Sequence, residues 1–201
     1  MNRRGAVVWL ALGLAILAPV VVAAQSPLLQ WRDPAYVIAG FAGIVGLALL
    51  LVQPLLITGV LRGIDRHRAH IWTGMGLVVA VVVHVAGLWI TSPPDVVDVL
   101  LFRSPTPFSV WGAVAMWAVF GAALLAGLRT RLSLRVWRLG HSVAVIVIVT
   151  GTVVHAWLVQ GAMGTATKAA LCVLVLGAAA WALRKRRVWR ILRRSERHGG
   201  G

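Results

Sequence analysis

AHIWTGMGLVVAVVVHVAGLWIT (residues 69–91) and LGHSVAVIVIVTGTVVHAWLVQ (residues 139–160) decide the architecture of this chain. Each stretch is apolar for more than the roughly 20 residues that a helix needs to cross a hydrocarbon core about 30 Å thick. Each also carries two histidines 14 residues apart: His70 and His84 in the first, His141 and His155 in the second. Over 14 residues an α-helix climbs about 21 Å and returns to within about 40° of its starting direction. Both helices therefore present two imidazoles on one face, one near each edge of a bilayer.

The rest of the chain fits the same setting. It is 60% hydrophobic and only 12% charged, about half the charged fraction of an ordinary soluble domain, and its mean hydropathy is +0.88. Six apolar stretches of span length can be read, at residues 6–24, 35–57, 69–91, 109–128, 139–160 and 166–183. Short connections join them, so the sequence predicts one domain over residues 1–201, an all-α integral membrane bundle of six transmembrane helices followed by a basic tail at 184–201. The first span could alternatively be read as a signal peptide, with Arg3 and Arg4 before it and Val22-Ala23-Ala24 as a cleavage site. At about 19 residues its apolar stretch exceeds the usual 7–15, which favours a retained span. Cys172 is the one cysteine, too few for a disulfide framework or a thiolate metal site, and is expected to serve packing.

A formal net charge of +15 raises the possibility of nucleic acid, but its distribution argues for a membrane. Seventeen of the twenty basic residues fall before the first span, in the second and fourth connections or in the tail; only Arg32, Arg103 and Lys168 fall elsewhere. By the positive-inside rule both termini and these connections are expected to be cytoplasmic. The tail interleaves its arginines with Trp189, Ile191 and Leu192, a pattern suited to a lipid surface. The third and fifth spans then run in the same direction, so His70 pairs in depth with His141 near the inner edge, and His84 with His155 toward the outer edge.

A single histidine in a membrane span is often satisfied by a backbone carbonyl. Four of the six histidines falling into two equal pairs is a different observation, and intramembrane ionisable residues point to function. His67, in an inside loop, and His198, in the tail, lack that geometry and are expected to be solvated. Histidines 14 residues apart on one helix cannot share an ion, and no H-x-x-E, E-x-x-H or C-x-x-C motif supplies the further ligands that zinc would want. A heme needs one imidazole on each side of its plane, and two facing helices supply that. The spacing therefore predicts two b-type hemes per chain between the third and fifth spans, with His70, His84, His141 and His155 as axial iron ligands. Gly74, Gly76, Gly87, Gly140 and Gly151 could let the macrocycles approach the backbone, or could serve ordinary close helix packing. Arg66, Arg68, Arg135 and Arg138 lie near the inner pair and could meet heme propionates. Arg103, in the long outer connection 91–108, could do so outside or pair with Asp95 or Asp98.

These residues resemble a known family. Arg66-His-Arg-Ala-His70-Ile-Trp-Thr-Gly with Val-Val-Val-His84-Val-Ala-Gly, Trp137-Arg-Leu-Gly-His141 with Val-Val-His155-Ala-Trp, and Ser104-Pro-Thr-Pro-Phe-Ser-Val-Trp-Gly look like the ferric-reductase-like transmembrane domain, over about residues 35–183. The resemblance implies a six-helix domain carrying heme b, with electrons moving outward from the cytoplasmic face, as in ferric reductases, NADPH oxidases and the heme subunit of a periplasmic methionine-sulfoxide reductase. Unlike the larger members, this sequence carries no flavin or nicotinamide domain after its last span and no Gly-rich phosphate loop. A cytoplasmic flavoprotein reductase or a quinol would be the donor, and an extracytoplasmic molecule the acceptor. The expected protein is a cytochrome b subunit of a bacterial inner membrane, with no nucleic-acid partner. Its alternatives are a methionine-sulfoxide-reductase-type heme subunit, a small transporter using the histidines as a proton relay, and a heme-free structural protein.

Overall fold

A computed structural model describes residues 3–185. Among these residues there are seven α-helices and no strand: α1 (Arg3–Ala24), α2 (Pro34–Thr58), α3 (Arg66–Thr91), α4 (Pro93–Leu100), α5 (Ser109–Gly127), α6 (Leu134–Leu158) and α7 (Thr165–Lys185). All except α4 are long and apolar enough to cross a membrane. The third and fifth spans of the sequence are α3 and α6. The tail beyond residue 185, with His198, Trp189, Ile191 and Leu192, lies outside the described residues.

Helices α3 and α6 begin before their apolar stretches, each on a capped turn. Asp65 caps α3, its carboxylate accepting from the backbone N–H groups of His67 and Arg68, both at 3.1 Å. Ser133 caps α6 by accepting from Val136 at 3.3 Å. Each cap satisfies donors that a helix start leaves open and adds a first turn of arginine-bearing helix before the apolar run. Asp33 caps α2 in the same way, at 2.7 Å from the Ala35 nitrogen with Pro34 as first residue. Gly59 ends α2 at φ 75°, a left-handed conformation that glycine adopts without strain. The outer connection 91–108 is not plain loop. Pro93 opens the short helix α4, which buries Val96.

The bundle is built from two antiparallel hairpins. α2 packs along α3, and α5 along α6; α7 closes them from behind by packing on both α2 and α6, and α1 lies against α2 and α7. The core runs through Leu47, Leu50 and Leu51 of α2, Val119 of α5, Ile148 and Val149 of α6, and Leu171, Cys172 and Val175 of α7. Cys172 is buried there, as packing requires. Small residues set the closest approaches: a Cβ on Gly87 would stand 2.7 Å from the Ala35 carbonyl oxygen, and one on Gly151 would stand 3.0 Å from that of Trp111. These two glycines therefore draw α3 onto α2 and α6 onto α5. The outside of the bundle is apolar, with Leu14 70%, Ile90 71% and Val173 68% exposed. Such a surface suits lipid as its solvent, and the fold is that of a multi-pass membrane protein.

Two lysines of α7 tie the helices together at their ends. Lys168 is 9% exposed and its Nζ donates to the carbonyls of Val159 (2.8 Å) and Trp157 (3.4 Å), at the C-terminus of α6. Lys185 donates to the Thr58 carbonyl at the C-terminus of α2 (2.8 Å). Both cations meet the negative end of a helix dipole and satisfy carbonyls that have no intrahelical partner. Lys168→Met should lower stability by about 1–3 kcal/mol, since it leaves those carbonyls unsatisfied in an apolar setting. Thermal unfolding in detergent measures this, and an unchanged midpoint would show that the α6 end is satisfied by other means.

Candidate functional site: two imidazole pairs between α3 and α6

α3 and α6 face each other across the bundle rather than packing along their length. The structure brings the four span histidines together in the pairs that equal depth predicts. His70 and His141 have ring centroids 6.4 Å apart at an interplanar angle of 72°. His84 and His155 have theirs 6.3 Å apart at 83°. Leu77 and Ile148, both buried, lie between the two levels on the two helices.

The outer pair is fixed by backbone. His84 Nδ1 is 2.7 Å from the Ala39 carbonyl oxygen, and His155 Nδ1 is 2.9 Å from that of Phe108. A carbonyl oxygen only accepts, so each Nδ1 carries the hydrogen and Nε2 keeps the lone pair. The Phe108 oxygen also takes the Gly112 backbone N–H at 3.2 Å, using its second lone pair. Four residues after each carbonyl stands a glycine, Gly43 on α2 and Gly112 on α5. A Cβ there would lie 3.2 Å from Nδ1 of His84 and 2.7 Å from Nδ1 of His155, respectively. The absence of a side chain lets each imidazole lie against the neighbouring helix and reach its backbone. Phe108 adds an edge contact to His155, with centroids 5.8 Å apart.

The inner pair borders a cavity of about 1620 Å³. His70, Gln53, Trp137 and His141 line its walls with apolar residues of α2, α3, α5, α6 and α7. Gln53 Nε2 donates to the His70 carbonyl (3.3 Å) and to Thr73 Oγ1 (3.1 Å), which ties α2 to α3 at this level. Trp137 stacks on His141 with centroids 5.4 Å apart and planes 9° from parallel. The Arg129 guanidinium in turn sits 4.9 Å from the Trp137 ring centre. His84 and His155 lie beyond this cavity's lining.

The cations divide. Arg129, Arg135 and Arg138 line the cavity, and so does the exposed His67. Arg66 and Arg68 do not: the Arg66 guanidinium lies instead against Gly59, 2.5 Å from where a Cβ would stand there. Arg103 follows α4, where its backbone N–H donates to the Asp98 carbonyl at 2.7 Å. Of the glycines singled out from the sequence, Gly74 borders Gln53 and lines the cavity. Gly76, Gly87, Gly140 and Gly151 meet Leu49, Ala39, Leu125 and Ala115, which is helix packing. The glycines that face imidazoles are Gly43 and Gly112, and sequence reasoning missed them along with Gln53, Arg129 and Trp137 as site residues. A signal was present: Ala39-x-x-x-Gly43 opens α2 at the depth of the outer histidines, in the small-x-x-x-small pattern of close helix approach.

Among the described residues no group of three or more His, Cys, Asp or Glu side chains could hold a metal ion. Compared with models of known families, with curated proteins and with solved structures, the chain matches none.

Gly112→Ala and Gly43→Ala should differ in outcome. At Gly112 the new methyl meets the His155 ring well inside contact distance, and overpacking of this kind costs about 1–3 kcal/mol. At Gly43 the overlap is slight, and the roughly 1 kcal/mol helix preference of alanine over glycine offsets it. Thermal unfolding in detergent should place the Gly112 variant clearly below wild type and the Gly43 variant near it; equal midpoints would refute the contact at Gly112.

Proposed function

We propose that this protein is a cytochrome b-type electron carrier that spans a bacterial inner membrane with both termini cytoplasmic, binds two b-type hemes, and passes electrons from its arginine-rich face to an acceptor on the opposite face. The single observation that carries this reading is the separation of the imidazoles at both levels. A metal–imidazole bond is about 2 Å, and a ring nitrogen lies about 1 Å from its ring centre, so two imidazoles on one iron have centroids about 6 Å apart. The observed 6.4 and 6.3 Å agree with that at both levels.

Other features fit the same group. The Nδ1–carbonyl bonds of the outer pair leave Nε2 as the ligating nitrogen and make each imidazole a better donor, as the outer shell of ligand histidines commonly does. The inner pair borders an apolar cavity with arginines among its lining, a setting that suits an apolar macrocycle carrying carboxylates. Bound heme would supply reversible one-electron chemistry. The chain's own part is to hold four nitrogens, keep water from the path, and separate the two levels by buried Leu77 and Ile148. It needs no general acid, base or nucleophile for this.

The resemblance to the ferric-reductase-like transmembrane domain supports the same assignment, and the paired ligation at both levels favours its reductase branch over the methionine-sulfoxide-reductase type of subunit. The donor on this reading is a cytoplasmic flavoprotein or a quinol. A proton-relay transporter would need the same histidines but no heme, so a spectrum separates the two.

Purified protein should show a low-spin b-type reduced-minus-oxidised spectrum with two hemes per chain. In proteoliposomes supplied with donor at the arginine-rich face, His84→Ala should leave one heme reducible while abolishing reduction of an impermeant acceptor on the other side. A heme-free protein, or a His84 variant that still reduces the far-side acceptor at the wild-type rate, would overturn the proposal.

A further inference from the structure

The motif Trp137-Arg-Leu-Gly-His141 contains an aromatic residue for which ligation by four histidines has no use. The two levels of the site are also secured differently. Both outer imidazoles are oriented through Nδ1 by a backbone carbonyl. At the inner level, Nδ1 of His141 is buried and has no hydrogen-bond partner among the described residues. The torsion that turns an imidazole about its Cβ–Cγ bond is broad, so a ring without such a bond needs another restraint.

Trp137 supplies one. It stands one turn before His141 on α6, where residues four apart lie on the same face, and its indole lies nearly parallel to the imidazole. Turning the imidazole out of that plane would drive it into the indole face. The indole is itself pinned, because the Arg129 guanidinium, from the connection between α5 and α6, covers its ring in a cation–π contact. Guanidinium, indole and imidazole thus touch in series, from a loop into the bundle.

We infer that Trp137, backed by Arg129, is a positioning residue of the inner imidazole pair and does for His141 what the Phe108 carbonyl does for His155. An aromatic face holds a ring in plane without drawing on its Nδ1 hydrogen, so the two levels differ in how their ligands are held. The consequence for heme at the inner level rests on the electron-carrier reading; the restraint on the imidazole does not.

Deuterium exchange at the C2–H of each histidine, followed by mass spectrometry on the heme-free chain in detergent, tests the restraint alone. Trp137→Leu should speed exchange at His141 several-fold and leave His84 and His155 as in wild type. Trp137→Phe, which keeps a stacking ring, should restore slow exchange, and Arg129→Gln should fall between. His141 exchange that is unchanged in Trp137→Leu, or as fast in Trp137→Phe as in Trp137→Leu, overturns the inference. In heme-loaded protein the Leu variant should shift the low-spin paramagnetic resonance signal of one heme only, with Phe restoring it. If the wild-type chain takes up no heme, the electron-carrier reading fails while the exchange result still decides the role of Trp137.

Discussion

The structure depends on a constraint on two helices: α3 and α6 must stay side by side, pointing the same way, without closing on each other. Only then do residues of equal depth meet across the gap, and only then does a 14-residue spacing on each helix yield two levels rather than one. Two helices adjacent in sequence cannot satisfy this with a short link, because a short link reverses direction. The chain solves it by giving each its own antiparallel partner, α2 for α3 and α5 for α6, and by packing α7 against α2 and α6. Gly87 and Gly151 hold each hairpin tight, while Lys168 and Lys185 fasten α7 to the ends of α6 and α2. The rigidity of the hairpins holds the spacing of the gap.

The hairpins also supply the restraints on the rings, and here the two levels part. Toward the α3 and α6 C-termini, the backbone of α2 and α5 is bared at Gly43 and Gly112, and the outer imidazoles lie directly on it. A backbone carbonyl is a rigid partner whose position changes only if the helix moves. Toward the other end a cavity of about 1620 Å³ opens, and at His141 a side chain does what backbone does at the outer level. Gln53 bridges α2 to α3, and Trp137 covers His141 under Arg129.

Much of this was legible in the sequence because helical geometry and hydropathy are local. The apolar runs number the spans, and the rise per residue, with the third and fifth spans running the same way, places His70 and His141 at one depth and His84 and His155 at another. Helices α3 and α6 extend beyond their apolar stretches because hydropathy does not register a capped polar turn, whereas Asp65 and Ser133 stabilise one. Helix α4 was passed over because an eight-residue amphipathic piece is too short for a span-length window.

What only the tertiary structure decided is which surface each ring meets. That depends on how far every helix is rotated about its own axis, and rotation is set by packing against neighbours distant in sequence rather than by anything within the helix. Ala39 is 45 residues from His84, and Phe108 is 47 from His155, so no local pattern could join them. For the same reason Arg66 and Arg68, closest in sequence to His70, turn away toward Gly59 and the surface, while Arg129, twelve residues from His141, reaches the site. Spacing along a helix fixed the depth of the four histidines; the packing of the hairpins decided that their rings face one another and what holds them there.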